Sequence, residues 1–431
     1  MAEQHQGLPI VNFAHAAGAR AASASAGAAD EGPFEAAFEP EPEDAETEAF
    51  LDEALKVLEQ AGAEPDVLNA PNDPRAALLQ SFLAEHAIDV GALRPAPGDG
   101  ALEAMFDKFD PRWVKALGGW VRDKLNMEKR LPRPPFTDEP TVIANDVNIA
   151  LLGDWGTGLY GAPACARSIE QAGDYQVLLH LGDVYYTGTS KEVQQHFLDV
   201  WPKVDGALSR GCNSNHEMYS GGEGYFHLTL PAFGQASSTF LVENDHWMFA
   251  GLDTAYHEHE IDDEQVAWLD RAVKRLGGRQ LVLLSHHQPY SQLDNQGPQL
   301  QAKLGHLLEA RRVRSWYWGH EHLLALYDPH PAWGLHGRCV GHSGFPYGRK
   351  GFGNAPKTQL PEGLEFRTLP AKAKGNVPSA RILDGPNEYL GDKRKKYGPN
   401  GYMRLELRGP ALHEKVLAPN GTVLWEGDLP A

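Results

Sequence analysis

Short apolar runs recur through the middle of the chain, and each is followed almost at once by a polar, ligand-type side chain, in several cases after a glycine. Asn148 to Leu152, Val177 to Leu181, His246 to Leu252, Leu281 to Leu284 and Trp316 to Trp318 predict strands. Between them, Val266, Leu269, Val273 and Leu276 fall on one face of an amphipathic helix over Asp262 to Leu276. The far end alternates in steps of two, predicting strands over Tyr402 to Leu407 and His413 to Leu417. A Pro419-Asn420-Gly421 turn then leads to a strand over Val423 to Trp425. Ahead of the strand region the spacing is helical. Thr47 to Ala61 carries Phe50, Leu51, Leu55, Val57 and Leu58, a second helix starts at Pro74 and runs to about His86, and Pro111 to Leu125 carries a stripe of Trp113, Leu117, Trp120 and Val121. Leu131-Pro132-Arg133-Pro134-Pro135 reads as a stiff linker. The pattern divides the chain into an Ala- and Glu-rich tail over 1–42, predicted to be disordered, a helical cap region over 43–135, and a strand-rich domain over 146–431.

The chemistry lies where the apolar runs stop. Five blocks follow in order: Gly153-Asp154-Trp155-Gly156, Gly182-Asp183-Val184-Tyr185-Tyr186, Asn215-His216-Glu217, Ser285-His286-His287, and Gly319-His320-Glu321-His322. One Gly-Asp step is an ordinary turn, because Gly takes positive φ and Asp bonds to nearby backbone. Together, however, the five make a set of oxygen and nitrogen donors without a thiolate, each at a strand end. Such donors suit Fe, Mn, Zn or Co rather than Cu(I) or an iron-sulfur cluster. A bridging ligand needs two donor atoms, which a carboxylate has. The loop residues His257 and His259, with Glu258 and Glu260, have no strand to fix them and read as solvated. Asp253 reads as scaffold, and His342 as at most a hydrogen-bonding residue beyond the ligands.

The ordered blocks, over roughly residues 146 to 345, resemble the calcineurin-like metallophosphoesterase superfamily and more narrowly its purple acid phosphatase-like branch. The Gly-Asp-x-x-Tyr step at Gly182, Asp183 and Tyr186 carries that narrower likeness, as does Gly156 where many members place a histidine. The resemblance implies a four-layer αββα sandwich with two mixed sheets face to face and helices outside, extended here by the N-terminal helical region. It implies one metal held by Asp154, Asp183, Tyr186 and His322, and a second held by Asp183, Asn215, His320 and either His286 or His287. The His-x-Pro spacing selects His287, and the length of the preceding strand selects His286. The implied reaction is hydrolysis of a phosphate ester, with water activated between two metals roughly 3.5–4 Å apart and attack at phosphorus in line. Asp183 and His216 are the catalytic residues, His216 binding the phosphate or protonating the leaving group. A phenol with a pKa of about 10 binds as phenolate only to a strong Lewis acid, so Fe(III) with Zn, Mn or Fe(II) is the favoured pair, with a Mn or Zn pair as the alternative. Members usually carry Gly before Asn-His, where this chain has Ser214. If that position needs positive φ, serine costs roughly 1 kcal/mol.

Charge and cysteine content narrow the partners. The formal charge of −19 is concentrated in residues 1–60, where 13 Asp/Glu face 2 Lys/Arg, a balance of −11 that leaves −8 for the rest. An acidic body lacks the electrostatic footprint for a nucleic-acid backbone. No segment is long and apolar enough to span a membrane, and no apolar stretch follows a basic start as in a signal peptide. Cys165, Cys212 and Cys339 cannot all pair, which suits a reducing compartment, so the expected location is cytoplasmic. The expected partner is a small phosphate ester, monoesters being favoured and diesters of a small nucleotide or glycerol type the alternative. A reading of another class is a catalytically silent metal-binding scaffold whose helical region binds a protein.

Overall fold

The computed structural model describes residues 130–429 except 159, 296, 350, 351, 375, 392 and 393, together with Pro74, Ala77, Leu78 and Ser81. Those four earlier residues are helical, and the tail and the other two N-terminal helices expected from sequence lie outside the described residues.

The strands in chain order are β1 (Thr141–Val142), β2 (Asp146–Leu152), β3 (Val177–His180), β4 (Leu208–Gly211), β5 (Phe240–Glu243), β6 (Trp247–Gly251), β7 (Gln280–Ser285) and β8 (Val313–Trp318). There follow β9 (Leu324–Tyr327), β10 (His336–Val340), β11 (Lys357–Gln359), β12 (Glu365–Leu369), β13 (Ala380–Asp384), β14 (Tyr402–Arg408), β15 (Ala411–Leu417) and β16 (Val423–Asp428). The longer helices are α1 (Ala162–Ala172), α2 (Asp263–Lys274) and α3 (Pro298–Glu309). Among the described residues the strands form two mixed sheets, ordered β16-β15-β14-β2-β3-β4 and β1-β5-β6-β7-β8-β10-β9-β13-β12-β11.

Alternation of side chains builds the layers, since successive residues of a strand face opposite ways. On β2, Val147, Ile149 and Leu151 enter the core between the sheets, where they join Val282 and Leu284 of β7 and Tyr317 of β8. Ala150 and Leu152 of β2 face the other way, into a cluster with Cys165 and Ile169 of α1 and with Phe197 and Trp201. On the far side Leu281 and Leu283 of β7 pack with Trp268 and Leu269 of α2 and Leu300 and Leu304 of α3. Two sheets with helices on both outer faces are the αββα sandwich expected. Both faces of the central strands are covered, so their sequences read as continuous apolar runs.

β2, β3 and β4 run parallel, as do β6, β7 and β8. Parallel strands place their carboxyl ends along one edge, and loops leaving that edge are where α/β folds gather chemistry. Asp154 follows β2, Asp183 follows β3, Asn215 follows β4, His286 follows β7, and His320 and His322 follow β8.

Candidate metal centre

The two Gly-Asp loops lie side by side. The Asp154 amide donates to the Gly182 carbonyl (3.0 Å), the Gly156 amide to the Asp183 carbonyl (3.0 Å), and the Tyr185 amide to the Gly156 carbonyl (3.0 Å). A Cβ on Gly156 would sit 2.7 Å from the Asp183 oxygen, so this position takes glycine for close backbone approach. Gly182 has φ +100°, and a Cβ there would meet His286 Nδ1 at 2.6 Å. Asp154, Asp183, His320 and His322 themselves have φ of 52°, 77°, 70° and 54°. Such left-handed conformations cost on the order of 1–3 kcal/mol each and cluster at functional sites.

Two donor groups meet at Asp183, which is fully buried. On one side Asp183 Oδ2 accepts from the Tyr185 hydroxyl (2.7 Å), and that hydroxyl lies 3.0 Å from His322 Nε2 and 3.4 Å from Asp154 Oδ1. Oxygen or nitrogen donors of Asp154, Asp183 and His322 lie within 4.8 Å of one another. On the other side His286 Nε2 lies 3.2 Å from Asp183 Oδ1, 2.9 Å from Asn215 Oδ1 and 3.1 Å from His320 Nδ1. Second contacts aim these groups. His286 Nδ1 bonds the Leu181 carbonyl (2.9 Å), the Asn215 amide nitrogen donates to the Tyr219 hydroxyl (2.8 Å), and Asp154 accepts from the His320 backbone N–H.

The electrostatics suit cations. Burial and then the charge of Asp183 push the Asp154 carboxyl up, whereas Asp183, equally buried, is held well below the usual carboxylate range by His286 and His216. Burial lowers His286 to about 4 and holds His287 and His320 well below the ordinary imidazole value, which favours neutral rings with lone pairs to offer. Burial, then Asp183 and Asp154, push the Tyr185 phenol up. Asp183 Oδ1 is buried yet takes no hydrogen bond of good geometry. An orphaned carboxylate oxygen 3.2 Å from His286 Nε2, a nitrogen that itself lies 2.9 Å from Asn215 Oδ1 and 3.1 Å from His320 Nδ1, fits a bound cation beside the group of Asp154, Asp183 and His322.

The placements of Tyr186 and His259 differ from the sequence expectation, and of the two histidines left open one stands nearer the donors. The phenol beside the carboxylates belongs to Tyr185, not to Tyr186. The Tyr186 amide is bound by Glu192 Oε1 (2.7 Å), its carbonyl faces His216 Nδ1 (2.6 Å), and after burial its phenol is perturbed by Tyr160 and Glu192. Of the paired histidines, His286 joins the Asp183 group. His287 turns to Thr254, with Nδ1 2.9 Å from its hydroxyl. His259 also departs from the reading as a solvated loop residue, because its ring centroid lies 4.0 Å from that of His287 and 5.4 Å from that of His320. A turn with positive φ at His259 brings it there, and no sequence spacing signals it. Asp253 is scaffold, accepting from Asn213 Nδ2 (3.1 Å) and from the Ala255 and Tyr256 amides.

Ser214 has φ −136° and ψ 171°, extended backbone that any residue adopts, so it costs no left-handed strain. Its hydroxyl donates to Glu217 Oε2, a buried carboxyl pushed up to about 8 by burial and Asp183. Ser214→Gly is therefore expected to lower stability by about 1–2 kcal/mol, through loss of a buried hydrogen bond and a freer unfolded chain. Urea unfolding measures it, and a stabilised variant would contradict it.

Paired acid and histidine loops thus stand along one edge of the αββα sandwich. Residues 147–324 match the family model described as calcineurin-like phosphoesterase. No curated protein matches the chain in sequence. Among solved structures it is similar to the purple acid phosphatase PPD1 isolated from yellow lupin (Lupinus luteus) seeds, at 14% identity and a TM-score of 0.49, over 68% of this chain and 55% of the lupin chain. The chain thus spans little more than half the length of the lupin protein. It is also similar to GAP50, the anchor in the inner membrane complex of Plasmodium, at 14% identity and a TM-score of 0.47, over 66% of this chain and 88% of that one. No helix of the described residues is long and apolar enough to cross a membrane.

Proposed function

We propose that the protein is a two-metal hydrolase of phosphate esters, acting foremost on monoesters. The observation that carries this reading is the position of Asp183, whose two oxygens face two separate donor groups. Asp154, Tyr185 and His322 would hold one ion with Asp183 Oδ2, and Asn215, His286 and His320 a second with Oδ1. Bound there, the ions would supply Lewis acidity that lowers the pKa of a water and offsets charge on the attacking and leaving oxygens. A phenol donor on the first group favours Fe(III) there, with Zn, Mn or Fe(II) in the second.

The protein's own groups do the rest. His216 is fully buried, its Nδ1 is fixed on the Tyr186 carbonyl, and its Nε2 has no partner in the structure. The ring packs against Tyr185 at 4.6 Å, next to the first donor group. Its free nitrogen is placed to bind a phosphoryl oxygen or to give a proton to the leaving oxygen. The neutral amide of Asn215 keeps the second group less negative, which favours an anionic substrate.

Elemental analysis combined with hydrolysis of aryl phosphate mono- and diesters tests the reading. Two metal equivalents and faster turnover of the monoester are expected. A diester preference would move the assignment to a phosphodiesterase, and bound metal without turnover would leave a scaffold.

A further inference from the structure

Sheet order brings one more segment to the edge that carries the donor loops. β10 runs parallel to β8 and antiparallel to β9, and β13 runs antiparallel to β9. β8, β10 and β13 therefore share a direction, and their carboxyl ends line one edge. β14 runs antiparallel to β2, so the residues that lead into β14 lie beside the loop that leaves β2 with Asp154. The connection from Asp384, the last residue of β13, to Tyr402, the first of β14, thus joins the two sheets on the side of the metal donors. It carries Lys393-Arg394-Lys395-Lys396, the one place where four basic residues stand in sequence, in a chain of net charge −19.

Hydrogen bonds lead from the donors to this run. The Phe345 amide donates to the Asp154 carbonyl (2.8 Å), and its ring centroid lies 4.7 Å from that of Tyr185 and 4.9 Å from that of His322. Farther out, the Gly398 amide donates to the Tyr347 carbonyl (2.9 Å), Gly348 bridges Tyr397, and the Arg349 amide donates to the Lys396 carbonyl (2.7 Å). Four residues of chain span at most about 14 Å, so Arg349 and the backbone paired with it stay within that reach of Phe345. Arg349 Nε donates to Asp384 Oδ1 (2.6 Å), and Arg394 meets Glu388 (2.9 Å). Lys395 is exposed and pairs with no carboxylate among the described residues. At least one positive charge is thus left over for a ligand.

We propose that Arg394, Lys395 and Lys396 form a subsite for a second phosphate, so that the preferred substrate is a small phosphate ester whose leaving group is itself phosphorylated. Lysine binds phosphate as a point charge and arginine as a fork, and both remain charged at neutral pH. A single such run on an acidic body offers one anion site and no continuous track for a nucleic-acid backbone. One phosphoryl group would sit at the donors around Asp183, and the second would lie outward against the basic run. The inference rests on the two-metal reading for the bond that is cleaved, and it adds which ester is preferred.

The test compares hexanediol and octanediol bisphosphates with hexyl and octyl phosphate, in wild-type protein and in two variants of equal charge change. Lys395→Glu alters the run. Lys374→Glu alters a lysine that is also exposed and without a carboxylate partner among the described residues, on the connection at the other end of β12 and β13. Phosphate release gives kcat and KM, and titration calorimetry gives Kd where turnover is absent. Wild-type protein is expected to show a lower KM for a bisphosphate than for the matching monophosphate. Lys395→Glu should raise the bisphosphate KM roughly 3- to 10-fold, less at high salt, with kcat and the monophosphate KM unchanged. Lys374→Glu should change none of these. No bisphosphate preference in wild type, an equal loss for mono- and bisphosphates, or an equal effect of the two variants overturns the subsite. If no ester is hydrolysed but Lys395→Glu selectively weakens bisphosphate binding, the phosphatase reading fails and the subsite stands.

Discussion

Asp183→Asn is expected to lose both central metal equivalents and to reduce phosphate-ester turnover by roughly 10³-fold or more, for a loss of about 4 kcal/mol of charge stabilisation. The carboxylate presents one oxygen to each donor group, whereas an amide has a single oxygen and a nitrogen that repels cations. The fold should survive the change. Asparagine has the same shape, accepts the φ of 77°, and removes a buried charge that has no cation in the metal-free protein. Thermal unfolding of the metal-free variant should therefore match or exceed wild type, while metal analysis and initial rates collapse. A variant that keeps both equivalents would remove Asp183 from the bridging position.

The second large effect separates two adjacent tyrosines. Tyr185→Phe is expected to weaken metal binding at the first group by about 10- to 100-fold, as loss of a metal-site contact does. It would also abolish any visible charge-transfer band if that ion is Fe(III). Tyr186→Phe should leave metal content and band intact, because after burial its phenol is perturbed by Tyr160 and Glu192 rather than by Asp154 or Asp183. Metal-binding titrations and visible spectra of the two variants decide the matter. A band lost in Tyr186→Phe and kept in Tyr185→Phe would reverse the assignment.

Much of the architecture was legible in the residues. Runs such as Asn148 to Leu152 and Leu281 to Leu284 became β2 and β7, because burial on both faces demands apolar side chains at every position. The 3.6-residue stripe ending at Leu276 became α2, and the alternating far end became β14, β15 and β16. The expected helices around residues 47–61 and 111–125 lie outside the described residues. Strand β11 escaped the reading because it is three residues long and fully exposed, so no hydrophobic period marks it.

By itself the sequence determined that carboxylate, amide and imidazole donors would stand at the carboxyl ends of strands, since strand and loop identity follow from local periodicity and turn chemistry. Only the tertiary structure decided between neighbours. Tyr185 faces the donors while Glu192 holds the Tyr186 amide, His286 joins Asp183 because the Leu181 carbonyl holds its ring, and His287 turns to Thr254. Ser214 is free of strain because the chain there is extended, and His259 reaches His287 through a turn remote in sequence from β7. Adjacent residues have nearly the same local code. Which of two adjacent side chains enters a site therefore depends on partners that only folding brings near.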